Sequence, residues 1–307
     1  MDKSEVRKPA VAGSFYNANL KSLKKQIENC FLHKIGPGKI PTVNLQGEKN
    51  IIGLISPHAG YMYSGPVAAN GFYKIALDGK PDTIIIIGPN HRGFGEDISI
   101  MVEGNWETPL GELEIDANIA ESILKNSKII KVDKKAHQFE HSIEVQLPFI
   151  QYIFGENVKF VPICMIHQDI NTDIEIAKSI CSSIINKNVL IIASSDFTHY
   201  EPQEYAINID KQAIDAILDF DPKKLYDMIY QQNLTMCGPG PITVMLIACE
   251  TLGAKKAELT KYSTSGDISG RYDQVVGYAS IIIRKWYTSI NTLFCHGGGA
   301  FLFLSLE

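Results

Sequence analysis

Asn50-Ile-Ile-Gly-Leu-Ile-Ser56 is apolar on both faces of an extended chain, and Pro57-His58 follows at once. A strand of that kind belongs at the centre of a sheet, with helices over each side. Three further runs share its character: Thr83-Ile-Ile-Ile-Ile-Gly88, Val158-Lys-Phe-Val-Pro-Ile163 and Val189-Leu-Ile-Ile-Ala-Ser194. Segments near 97–102 and 274–284 supply additional strands. Between them the spacing predicts helices after Gly65-Pro66, with Ser64 as N-cap and Pro66 in the first turn. Apolar residues also recur at helical spacing over 173–185, 205–218 and 222–230. Pro241 to Leu252 is apolar almost all round and is expected to be buried. Strands alternating with helices imply an α/β fold, a single domain over residues 1–286 whose largely parallel central sheet is flanked by helices. There is no internal repeat.

Composition narrows the function classes. The chain has 307 residues, a formal net charge of −5, 45% hydrophobic and 21% charged residues. That is neither a disordered nor a membrane composition. The mild acidity argues against nucleic acid as a partner, since backbone binding rests on clustered Lys and Arg. No run approaches the length of a spanning helix, and the residues after Met1 lack the apolar core of a signal peptide. Six cysteines with no Cys-x-x-Cys pair read as reduced thiols, so a cytoplasmic location is expected. Residues 287–307 carry Cys295-His296 and a short apolar end, and are expected to be an accessory or cloning-derived tail.

The histidines carry the functional signal. His58 follows the first buried run and His91 the second, in Gly88-Pro-Asn-His91. His199 follows the run at 189–194, in Ser194-Ser-Asp-Phe-Thr-His199, with Asp196 beside it. Open α/β sheets bind ligands beyond the carboxyl ends of their strands, where loops converge. One such histidine would be an ordinary loop residue; three at equivalent places point to a metal or acid–base site. Cys237, in Met236-Cys-Gly238, precedes the apolar helix, where the helix dipole would favour a thiolate for metal binding or nucleophilic attack. Cys164, Cys181 and Cys249 read as small core hydrophobes, and Cys30 carries no signal.

Ala136-His-Gln-Phe-Glu-His-Ser-Ile-Glu144 places His137 and His141 four apart, on one face if the segment is helical. Gln138 stands where a zinc protease needs its glutamate base, so that reading fails. Glu140, His141 and Glu144 either face the crevice as acid–base groups or form a charged helix start; the sequence favours neither. Gly-rich segments here fit neither a phosphate-binding loop nor a dinucleotide fingerprint.

Taken in order, Arg7-Lys-Pro-Ala-Val-Ala-Gly-Ser-Phe-Tyr16, Pro57-His-Ala-Gly-Tyr61, Gly88-Pro-Asn-His91, Trp106-Glu-Thr-Pro-Leu-Gly111, Glu140-His-Ser-Ile-Glu144, Ser194-Ser-Asp-Phe-Thr-His199, Met236-Cys-Gly238 and Val275-Val-Gly-Tyr-Ala279 resemble the Memo family. In prokaryotes this family is also called AmmeMemoRadiSam system protein B. The likeness covers roughly residues 5–284 and departs at Asn17, where Pro commonly follows the Phe-Tyr pair. It implies a fold similar to class III extradiol (LigB-like) dioxygenases. It further implies a redox-active iron or copper held by His58, His91 and Cys237, with zinc as a possible substitute. His141, Asp196 and His199 would then line the same pocket as acid–base groups. Radical SAM and AMMECR-type proteins are partners by family association.

A cysteine in place of the extradiol carboxylate softens the donor set and alters oxygen activation, so dioxygenase activity does not simply carry over. A metal-dependent redox enzyme is therefore the leading expectation. The alternative is a non-enzymatic scaffold taking a peptide or phosphopeptide in the same crevice, with Arg92 pairing an anionic group. A metal-free Cys-His hydrolase built on Cys237 ranks below both.

Overall fold

The computed structural model describes residues 6–285 apart from Asn233. The tail with Cys295 and His296 lies outside the described residues. The chain begins with β1 (Val6–Arg7), α1 (Leu20–Leu32), β2 (Ile51–Ser56), α2 (Gly65–Asp78) and β3 (Thr83–Pro89). Short elements follow: β4 (Ile98–Ile100), β5 (Asn105–Thr108), β6 (Gly111–Glu114), α3 (Ala117–Asn126), β7 (Lys131–Val132) and α4 (Lys135–Gln138). A 3-10 turn (Glu144–Gln146) leads into α5 (Leu147–Phe154), β8 (Lys159–Met165), α6 (Ile170–Ile184), β9 (Val189–Ser194) and β10 (His199–Glu201). The last elements are α7 (Gln203–Leu218), α8 (Pro222–Gln232), α9 (Pro239–Thr251), β11 (Ala254–Thr264), α10 (Gly266–Ser269) and β12 (Val275–Lys285).

The four apolar runs form the middle of the main sheet in the order β2-β9-β3-β8, all parallel. Every residue of β2, β3 and β9 is buried, as their two-sided apolar character requires. Toward the flanks β12 pairs antiparallel with β2, β10 and β11 pair antiparallel with β12, and β4 pairs antiparallel with β8, while β7 at the edge runs parallel to β4. The sheet is thus mixed, because neighbours joined by short links such as the α10 turn between β11 and β12 can pair only antiparallel. A separate sheet, β1-β5-β6, escapes the sequence reading because strands of two to four residues show no usable period.

Helices cover both faces. Alternation along β2 sends Leu54 toward α2, where a Cβ on Gly71 would come 2.4 Å from it. Gly53 faces the other way, and a Cβ there would stand 2.8 Å from Sγ of Cys249 in α9. Helix α9 is buried nearly all round, as its composition predicts. Helix α6 starts three residues before the expected Asp173, because the Asp169 carboxylate accepts the N–H groups of Asn171 and Thr172. The expected N-cap at Ser64 does not form. That residue is already helical, and its hydroxyl donates back to the Ala59 carbonyl at 2.8 Å.

What matters for function is the order β2-β9-β3. The loops bearing His58, the Asp196–His199 pair and His91 leave three adjacent strands at the same edge and must converge.

Candidate metal centre

They do converge. Nε2 of His58 lies 3.1 Å from Nε2 of His91 and 3.3 Å from Sγ of Cys237. All three ligand atoms fall within 4.8 Å of one another. Nitrogens about 2.0–2.1 Å from one cation stand roughly 2.9–3.4 Å apart, and a nitrogen and a thiolate sulfur roughly 3.1–3.6 Å, as the angle opens from right to tetrahedral. Both spacings from His58 match, and the third side, from His91 to Cys237, is no longer than 4.8 Å. Protonation agrees too: burial, then the neighbouring histidines, hold His58 well below the ordinary imidazole value, and partial desolvation, then the His199 and Arg92 charges, lower the otherwise exposed His91. Both rings are therefore neutral, with lone pairs available to a cation. The donor set fits a soft to borderline first-row metal.

Each ligand is placed by local chain geometry. His58 stands in the turn between β2 and α2, its backbone N–H donating to Oδ1 of Asp196 at 2.8 Å. Cys237 is set just before α9, its N–H donating to the Asp196 carbonyl at 3.3 Å. Its sulfur accepts the Asp196 N–H at 3.2 Å. Gly238 is needed here, since a Cβ would meet the Ser194 carbonyl oxygen at 2.6 Å. Gln168 ties the turn down from behind, donating to the Cys237 carbonyl and accepting from Gly240 N–H. The expectation that the helix terminus alone yields a thiolate is corrected: burial, and then the Asp196 charge, push the thiol up. A bound cation would be what removes that proton.

His91 differs. It is exposed, its ring edge-on to His58 at 5.2 Å and stacked on His141 at 5.1 Å and 21°. His141 reaches the crevice without help from a helix, because α4 stops at Gln138. Its ring is held between His91 and Phe15, 4.7 Å away, and burial lowers it to about 4.

The rest of that segment is structural, so of the two readings left open for Glu140 and Glu144 the crevice one falls. Glu144 is sealed and takes the Arg7 guanidinium, the N–H groups of Ala10 and Val11, and the Tyr16 hydroxyl. Glu140, raised to about 7 by burial, accepts Ile143 and Glu144 N–H and closes the turn that carries His141. His137, four residues from His141, is fully buried against Trp106, and that ring carries the Arg7 guanidinium on its face.

His199 donates Nδ1–H to the Thr235 carbonyl at 2.8 Å, since a carbonyl can only accept. Its remaining nitrogen is Nε2. The orienting partner is thus the Thr235 carbonyl. Asp196 is raised to about 6 by burial and spends one oxygen on His58 N–H. Thr235, Ser142, Gln146 and Ser194 were not singled out from the sequence. Their only signal is adjacency, each lying within a few residues of a histidine or cysteine that was.

A family model described as Memo-like protein matches residues 7–282. A MEMO1 family protein from Desulfurococcus amylolyticus is 50% identical over 279 residues, 90% of this chain and 98% of that one. Another, from Methanopyrus kandleri, is 45% identical over 281 residues, 91% of this chain and 99% of that one. Among solved structures, an uncharacterized protein from Escherichia coli K12 superposes with a TM-score of 0.52 at 12% identity, over 76% of this chain and 99% of that one, a likeness of fold alone. With one family matched from the first described strand into the last, and relatives close to half identical along the whole domain, the chain belongs to the Memo family.

Proposed function

We propose that this protein is a metal-dependent redox enzyme that holds iron or copper at His58, His91 and Cys237, with zinc able to substitute. The supporting observation is the convergence of two imidazole nitrogens and one thiol sulfur within 4.8 Å. When bound, such a metal would supply one-electron chemistry and a Lewis-acid centre. His58 and Cys237 would hold it from the buried side, and His91 from the solvent side. His199, with Nδ1–H committed to Thr235, takes up or releases a proton at Nε2. His141 is neutral at physiological pH and serves as a second acceptor beside His91. Asp196 positions the His58 loop through the backbone. The substrate on this reading is a small molecule entering over the exposed His91. We place the protein in the cytoplasm, with radical SAM and AMMECR-type proteins as partners; no helix among the described residues is long and apolar enough to cross a membrane.

One observation favours the scaffold reading. Phe94 and Phe139 are exposed, their rings 6.4 Å apart, and Arg92 donates to the Phe139 carbonyl between them and His91. An apolar lip with a guanidinium suits a peptide that carries an anionic group. The hydrolase reading is disfavoured: a thiolate–imidazolium pair needs a lowered thiol and a raised histidine, and burial shifts Cys237 and His58 oppositely.

The test is metal content after purification without oxygen. Wild type should carry close to one iron or copper, and Cys237→Ala and His91→Ala less. Unchanged content in both variants would overturn the ligand assignment. Metal-dependent oxygen or electron-acceptor consumption distinguishes the enzyme from a scaffold.

A further inference from the structure

We infer that Ser194 is a positioning residue that locks His58 in the tautomer protonated at Nδ1, leaving Nε2 bare toward the centre. The inference rests on the metal-centre reading for its purpose but not for its geometry. Ser194 ends β9 and is completely buried; His58, Ser142 and Gln146 are at most 2% exposed. Water therefore cannot supply alternative partners, and the protons can be counted.

The count starts from two carbonyls, which only accept. Nε2 of Gln146 lies 3.1 Å from the Pro57 carbonyl oxygen, which fixes that end of the side chain as the donor NH2 group. Its second proton goes to Oγ of Ser194 at 3.0 Å. The Ser142 carbonyl oxygen lies 2.6 Å from Oγ of Ser194, so the single hydroxyl proton is spent there. Oγ has one lone pair left, and Nδ1 of His58 lies 2.8 Å away. Only Nδ1–H can make that bond. A lone pair on Nδ1 would face an oxygen with no proton to give.

Nε2 is then unprotonated and stands toward His91 and Cys237. In the metal-free protein it accepts a hydrogen bond from one of them; a cation would take that place. Outer hydrogen bonds of this kind orient a ligating imidazole and raise its basicity. The arrangement also links the ligand to its own loop, since Pro57 precedes His58. Ser142 follows His141, so one hydroxyl sets the distance between the two histidine-bearing turns.

The test uses the metal-free, 15N-labelled protein. The His58 ring should show a protonated Nδ1 and a pyridine-like Nε2 over the neutral pH range. Ser194→Ala should mix the tautomers and lower Zn(II) affinity, measured by chelator competition, by about 10–100-fold. Ser194→Thr, which keeps the hydroxyl, should restore both. A wild-type His58 protonated at Nε2 overturns the inference outright, even if Ser194→Ala fails to fold. So does a folded Ser194→Ala that keeps the wild-type tautomer and affinity. If wild type shows the expected tautomer and binds neither zinc, iron nor copper, the metal reading fails while the lock stands.

Discussion

The loops after β2 and β3 occupy equivalent places at the edge of one sheet, and each delivers a histidine to the same point, yet they are built differently. His58 is 2% exposed, its backbone tied to Asp196 and its ring to Ser194. His91 is exposed, follows an asparagine that caps its own turn, and precedes Gly93 and Gly95, both with positive φ. Its Nδ1 has no hydrogen bond among the described residues. One arm of the centre is fixed to the core; the other rests on a surface loop and a stacked ring. A site of this kind would retain a cation from behind and exchange ligands in front.

The sharpest way to break the comparison is to delete each arm. His58→Ala should lower Zn(II) affinity beyond the roughly 10–100-fold ascribed to loss of an outer hydrogen bond. His91→Ala should cost only about tenfold, because water can replace an imidazole at the open face. Chelator competition on both variants decides it. Equal losses would mean that the arms are energetically alike despite their surroundings.

The glycines repeat the contrast in stability. At Gly238, beside Cys237, an added Cβ meets backbone at 2.6 Å and side-chain carbon at 2.8 Å. Gly238→Ala should therefore destabilise by about 3 kcal/mol, as overpacking against rigid backbone does. At Gly93 nothing lies within 4 Å, and only its φ of +67° opposes a side chain. Gly93→Ala should cost about 1 kcal/mol. Denaturant unfolding of both gives the difference; comparable costs would show that the Cys237 turn and the His91 loop are equally constrained.

A buried titratable group also lies behind the helix that follows Cys237. Asp173 in α6 is sealed, takes the Tyr226 hydroxyl, and stands 3.1 Å from where a Gly240 Cβ would be. Burial raises it from 3.8 to about 7. The folded protein thus keeps a proton that the unfolded chain releases. Its stabilising effect is full below the ordinary value and is lost as pH climbs toward 7. Wild type should lose about 2 kcal/mol more than Asp173→Asn between pH 5 and pH 8. Parallel pH profiles for the two proteins would remove Asp173 from the account.

The difference between the arms also explains what could be read from residues alone. Four two-sided apolar runs made the parallel centre legible, and strand-end histidines made His58, His91 and His199 stand out. Cys237 was legible from its place before an apolar helix and from the Memo resemblance. Ser194 and Gln146 were not, because a serine at a strand end has no pattern; its meaning lies in which protons its neighbours have left. Glu140 and Glu144 stayed undecided for the opposite reason. Acid-histidine-acid spacing looks like acid–base chemistry, but Glu144 is held by Arg7 and Tyr16, more than a hundred residues away, and Glu140 is spent on the turn that carries His141. His137 and His141 diverge because α4 ends at Gln138, and a boundary that depends on tertiary packing is invisible to periodicity.

The smallest effect tests the open arm most finely. Arg92 adjoins His91, but its Nε–H goes to the Phe139 carbonyl, tying the His91 loop to the segment that carries His141. If that bond held the ring stack in place, Arg92→Ala would loosen His91 and lower metal affinity. The bond is exposed, however, and water replaces an exposed donor at little cost, so stability should change by no more than about 0.5 kcal/mol. His91 keeps its contacts with the His58 and His141 rings, so Zn(II) affinity should stay within about twofold, well inside the tenfold assigned to losing an imidazole that water replaces. A larger drop would show that the front of the centre is tied to its surroundings after all, with Arg92 doing on the solvent side what Ser194 does behind.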